Sequence, residues 1–297
     1  MKKGIAIAAS AVVLVVAAAG AWWWYGRDRA PPAVAPPAAE PAHPLSAAQR
    51  AERDERIRQS IAHRRHLWRE ASYVEIRQAA LGGDIVAQRR LSEVYEDCRA
   101  LAGGMNSSLL LLTQLVKTDP LSQPAVAAIH HDKDRLCGQA QADLGKNPTV
   151  ADYWLHKSAK SGDVVSEMRY FGRTVSQLSH GQYQYFIDKI RETGDPDAIF
   201  EMSLLLPKHG VKWPDPALAP AFEGPTAEEA WVVAACRAGY DCARGARLMN
   251  LVCLSMLSCG QPDYERHLAV VGAAGQHARR MQLVALIERS VLVPKAK

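Results

Sequence analysis

The chain of 297 residues holds only four Phe and nine Tyr, and its β-branched runs are few beside long stretches of Ala, Leu, Arg and Gln. Sheets draw on aromatic and β-branched side chains, so this scarcity favours helices. A surplus of one charge is missing from most of the chain. Residues 71–297 balance 25 basic against 25 acidic side chains, and the net charge of +5 arises before them. That balance argues against a basic nucleic-acid-binding domain. Catalytic signatures are lacking too. No Ser stands three residues before a Lys, and Gly-x-Ser-x-Gly, His-Glu-x-x-His and Gly-x-Gly-x-x-Gly do not occur. Gly145-Lys146 lacks the Ser or Thr that would complete a phosphate-binding loop. Glu96-Asp97 and Glu228-Glu229 are adjacent carboxylates, which diverge on a helix and make no acid–base pair. The sequence therefore points to no catalytic residue, cofactor or metal, and the chain does not read as an enzyme.

What is there begins with an address. Lys2-Lys3 precedes an apolar run from Gly4 to Ala21, and Trp22-Trp23-Trp24-Tyr25 follows. A helix over residues 4–25 would be roughly 33 Å long at ~1.5 Å per residue, which suits a hydrocarbon layer of ~30 Å. The lysines would hold the start in the cytoplasm, and the aromatic cluster suits the far interface. Residues 1–25 are thus expected to be an inner-membrane signal anchor, with the bulk of the chain periplasmic. Cleavage after Ala19-Gly20-Ala21, which would free a soluble periplasmic protein, is the alternative. Residues 26–46 carry Pro31, Pro32, Pro36, Pro37, Pro41 and Pro44 among alanines and read as an extended linker.

The chain has six cysteines, at Cys98, Cys137, Cys236, Cys242, Cys253 and Cys259. On a segment assigned to an oxidising space, disulfides are the default. Cys236 and Cys242 straddle a turn at Gly239-Tyr240-Asp241, and Cys253 and Cys259 flank a helix end before Gly260. Local pairing of these two couples leaves Cys98 for Cys137. Zinc is a poor alternative, because no Cys-x-x-Cys occurs. His63 and His66 share a helix face without a visible third ligand, and His130-His131-Asp132 point apart on a helix.

Residues 47–297 read as one helical domain. Residues 47–70 form an Arg/Glu-rich helix whose Arg64-Arg65 and Arg69 lie on a solvated face. The most informative pattern follows it. Gly83 suits a left-handed helix end and Asp84 suits the cap of the next helix, while Ala87, Leu91 and Tyr95 fall along one buried face. Small Ala80 and Ala87 let the two helices approach. The hairpin recurs around Trp154, Ala159, Gly162 and Asp163, and again around Gly194, Asp195 and Ala198. The glycines are 79 and then 32 residues apart, the first interval being about twice a helix-pair period.

These segments resemble the Sel1-like branch of the tetratricopeptide superfamily, whose repeats carry Trp or Tyr, then small residues, Gly-Asp, and Ala, Leu and Tyr at steps of four. Arg191 and Ser166 depart from that pattern, and no repeat is legible between Asp97 and Pro148. The resemblance implies an all-α fold, an irregular antiparallel helix-hairpin solenoid whose concave face holds a protein or peptide partner. Helices at 107–117 and 124–144 would be a degenerate pair. Trp231 precedes Gly239 by eight residues as Trp154 precedes Gly162, so 227–238 and 244–258 form a fourth hairpin. A last pair at 263–274 and 277–293 would cap the stack with Arg279, Arg280 and Glu288 outward.

A Pro-rich loop at 207–225 carries Trp213 and Phe222, which are either anchors for a partner or rings packed back on the core. The expected function is that of a membrane-anchored periplasmic scaffold or adaptor for an envelope protein. The alternative is a periplasmic enzyme or binding protein for cell-wall fragments, which is what similarity to cysteine-linked Sel1-like families implies.

Overall fold

The computed structural model describes residues 47–117, 119–175, 178–206, 213–272 and 275–292. The expected anchor and linker, residues 1–25 and 26–46, lie outside the described residues. Among the described residues no helix is long and apolar enough to cross a membrane. They contain thirteen α-helices and no strand, which makes the class all-α. In chain order these are α1 (Ala47–Arg69), α2 (Tyr73–Leu81), α3 (Ile85–Ala102), α4 (Gly104–Leu115) and α5 (Gln123–Lys146). Then come α6 (Val150–Lys160), α7 (Val164–Thr174), α8 (His180–Thr193) and α9 (Pro196–Leu205). The last are α10 (Pro225–Ala238), α11 (Arg247–Met256), α12 (Tyr264–Val271) and α13 (Gln276–Leu286), which continues into a π-helical turn at Ile287–Val291.

The Gly-Asp signal acts as its chemistry requires. Gly83, Gly162 and Gly194 have φ of 98°, 93° and 62°, a region that only glycine enters freely. The following aspartates cap α3, α7 and α9: Asp84 accepts from the Ala87 amide, Asp163 from Ser166 and Asp195 from Asp197. Ala80, Ala87, Leu91 and Tyr95 are buried in the first hairpin, as are Trp154 and Ala198 in the later ones. Ala159 is only half-buried, and the neighbouring Ser158 takes the inner position instead, donating to the Ile85 carbonyl at 2.9 Å.

Helix α3 is the hub. It packs against α1, α2, α4, α5 and α6, which buries it nearly all round. Two helices, α4 and α5, stand in the stretch where no repeat is legible, and Cys98–Cys137 ties α5 to α3. Two apolar clusters result, one around Ile76, Leu91, Val126 and Ile129, the other around Met168, Phe186, Trp231 and Val284. Helix α11 serves both, giving Leu248 and Val252 to the second and Cys253 and Leu254 to the first. It packs on α4 and α5, so the late part of the chain returns to the early part. Its start slips from residue 244 to Arg247. It stops at Met256 because Leu257 adopts φ 55°, and Cys253–Cys259 bridges that stop.

Candidate functional site

The faces on which α3, α7, α9 and α11 meet carry charge rather than apolar side chains. Arg169 of α7 binds Glu93 of α3 and donates to Glu201 of α9 at 2.7 Å. Arg247 of α11 grips Asp97 of α3 through two bonds of 2.7 and 2.8 Å. Arg89 of α3 reaches Asp197 of α9 at 2.8 Å. The side chains of Arg89, Arg90, Glu93 and Glu201 are almost wholly buried. Burial alone would raise the Glu93 carboxyl, yet Arg169, Arg247, Arg90 and Arg89 outweigh it and hold it down at about 2. Asp197 goes the other way. Its burial, reinforced by Asp195 and only partly offset by Arg89 and Arg64, lifts it to about 6. Tyr240, half-buried and near Asp197, is pushed well above the usual phenol value by loss of solvent.

The carboxyl-terminal half of α1 seats on one end of this ionic seam. Arg64 binds Asp195 and lies 3.4 Å from Asp197, so the caps of α9 also hold α1. Trp68 lies under the guanidinium groups of Arg89 and Arg90, 5.5 and 5.3 Å from its ring. Arg69 clasps Asp241 at 2.5 and 2.8 Å and donates to the Arg244 carbonyl. The solvated face expected of this helix is thus corrected at Arg64 and Arg69, because fixed acids on α9 and after α10 attract them inward. Arg65 stays exposed. Only a small pocket remains where α1 meets Asp197 and Arg247, about 40 Å³.

An open concavity lies elsewhere. A cleft of about 630 Å³ runs beside the Cys236–Cys242 bridge, lined in part by Arg65, Arg237, Asp263, Arg266 and His277. Asp263 is occupied capping α12, and Arg237 pairs with Glu265 at 3.1 Å. Arg65 and Arg266 are exposed and make no ion pair among the described residues. No family model, curated protein or solved structure matches the chain.

The aromatic pair of the Pro-rich loop is not available to a partner. Trp213 is 7% exposed and Phe222 0%, and they stack at 3.7 Å. Trp213 also meets His180 and Tyr183, while Phe222 meets Trp231, whose indole donates to the Ala221 carbonyl at 2.7 Å. Burial of two large rings against α8 and α10 outweighs leaving them in water. Residues 207–212 of that loop lie outside the described residues. Arg280, expected outward, is 1% exposed and bound to Glu229 at 2.6 Å.

All three disulfides form as paired on spacing: Cys98–Cys137, Cys236–Cys242 and Cys253–Cys259. His63 bonds Asp84, His66 bonds Glu70 and His130 bonds Thr113. No group of metal-ligating side chains occurs among the described residues. The seam residues escaped sequence reasoning because charges on a helix normally mark its wet side. One signal was available: Glu201 stands inside the apolar run Ala198-Ile199-Phe200-Glu201-Met202, where an isolated acid requires a buried cation.

Proposed function

We propose that the chain is a periplasmic helical-repeat scaffold, tethered to the inner membrane by residues 4–25, which holds an acidic segment of an envelope protein. The open cleft with its two unpaired guanidinium groups, Arg65 and Arg266, is the observation that carries this reading. Its size is that of a ligand-binding concavity, and its free cations suit carboxylates of a partner. The three disulfides support a location outside a reducing cytoplasm. The Sel1-like spacing around Gly83, Gly162 and Gly194 supports a repeat scaffold. The cleft, rather than the seam on which α1 sits, is the binding surface of this reading.

The test is in-cell crosslinking and mass spectrometry of the full chain against the same chain bearing Arg65→Glu and Arg266→Glu. A partner captured by the first and lost from the second, at equal abundance and unchanged melting, supports the scaffold. Capture of the same general membrane neighbours by both would sink it and move cell-wall fragments to the front.

A further inference from the structure

The three disulfides differ in what can reach them. Cys98, Cys137, Cys253 and Cys259 are at most 4% exposed, and all four belong to the first apolar cluster. Cys98 and Cys137 border a pocket of only about 60 Å³. Cys236 stands in the last turn of α10 and Cys242 in the connection after it, and both line the open cleft of about 630 Å³. Cys236 is half-buried and Cys242 is 8% exposed. Exchange requires a thiolate to reach a disulfide sulfur, so access decides which bridge reacts while the fold is intact. The cleft gives that access to Cys236–Cys242.

The surroundings favour charged sulfur. Arg65, Arg237, Arg266 and His277 line the same cleft. Its acids are engaged: Asp241 holds Arg69, Asp263 caps α12 and Glu265 pairs with Arg237. The exposed guanidinium groups of Arg65 and Arg266 remain, and cations beside a cysteine stabilise its thiolate over its thiol. The same charges attract an incoming thiolate. The bridge also pins the segment that joins the two sides of the cleft. The Cys242 carbonyl accepts from the Tyr264 amide of α12 at 3.2 Å, and Asp241 receives Arg69, one turn beyond Arg65 on α1.

We infer that Cys236–Cys242 is a thiol–disulfide exchange site for a dithiol reductant that enters through the cleft. One thiolate of the reductant attacks Sγ of Cys236, the more open of the pair. A mixed disulfide forms there, the bond between Cys236 and Cys242 breaks, and its electron pair leaves on Cys242 as a thiolate. The second thiolate of the reductant then attacks the reductant's own sulfur in the mixed disulfide and expels the Cys236 thiolate. The reductant ends as a disulfide and the chain as two thiols, which take up as many protons as the reductant gave. Opening the bridge frees the connection from α10, and with it the hold on α1 and α12 at the two sides of the cleft.

The experiment follows the full oxidised chain in dithiothreitol, alkylating samples over time and locating each labelled cysteine by mass spectrometry. Cys236 and Cys242 should be labelled together, at least roughly tenfold faster than the other cysteines, while circular dichroism stays that of the folded chain. Hydrogen exchange of this species should quicken between Gly239 and Arg247 and at the start of α12, with α2–α3 unchanged. Labelling of all cysteines at one rate, or first opening of another bridge, would overturn the site. Unchanged exchange after opening would overturn the release of the cleft's sides. Two monothiols then separate an exchange site from a bridge that is simply exposed. Corrected for thiolate fraction, 2-mercaptoethanesulfonate should react at least about threefold faster than cysteamine, and Arg65→Glu with Arg266→Glu should remove that preference. Equal rates for both thiols on the parent chain would overturn the exchange site. These measurements involve no partner, so this site and the proposed scaffold fail separately.

Discussion

Three hairpins and a fourth solve the same problem by different means. In α2–α3, α6–α7 and α8–α9, a positive-φ glycine ends one helix and the next residue, an aspartate, caps its partner. In α10–α11, Gly239 is there with φ 111°, but no side chain caps α11, which begins after Ala246. Asp241 is drawn away by Arg69, and the connection is held by Cys236–Cys242 on one side and by the Arg69 bond to the Arg244 carbonyl on the other. A second bridge, Cys253–Cys259, fixes the far end of the helix. Local capping thus gives way to covalent links and a distant arginine. In the fourth hairpin a disulfide spans the connection itself, which is not so in the first three.

The seam is common to both kinds of hairpin, so its loss should erase the distinction. Glu93→Ala takes away one of the two acids that hold Arg169 and leaves Arg90 with less counter-charge, and unfolding in urea should show a loss of about 3–5 kcal/mol. The same carboxylate sets the acid limit. Its folded value of about 2 lies below the ordinary 4.5, so its stabilisation is complete above pH 4.5 and fades as pH falls towards 2. Asp197, raised from 3.8 to about 6, opposes folding when charged, and protonation relieves it as pH falls from 6 towards 3.8. Stability measured against pH should hold or rise from neutrality to about 4.5 and then drop, and Glu93→Ala should remove the drop. A monotonic fall from pH 7 would contradict this pairing.

The bridges sharpen the comparison. Cys98–Cys137 closes 39 residues, and replacing both cysteines by alanine should cost about 4 kcal/mol. Cys236–Cys242 closes six, and its removal should cost about 2 kcal/mol, concentrated in α11. Hydrogen exchange of α11 amides reads that locality, and uniform loosening of all hairpins would break the argument. Smallest of all is the cap. Asp84→Ala should cost about 1 kcal/mol in thermal unfolding, and reductant should not change that difference. A reductant-dependent cost would mean that the first hairpin also leans on the bridges.

How much of this was legible depended on how local each signal was. Gly83-Asp84 and its two echoes act within a few residues, and their hairpins stand where spacing placed them. The cysteine pairs were legible because two of the three are close in sequence. Trp213 and Phe222 were ambiguous because a ring in a Pro-rich loop looks the same whether it faces water or α10. Arg89 and Arg169 carried no legible signal, since the acids that hold them come from helices 108 and 76 residues away.

The seating of α1 also has a mechanical meaning. Arg64, Trp68 and Arg69 fall in the last two turns of a helix of 23 residues, and they grip α9, α3 and the turn after α10 together. Tension arriving at residue 47 would run down a stiff rod of roughly 26 Å before it met the first of these contacts. It would then meet them nearly at once, as shear on one clamp rather than one bond after another, so the domain should yield to a pull at a single force rather than unravel from its end.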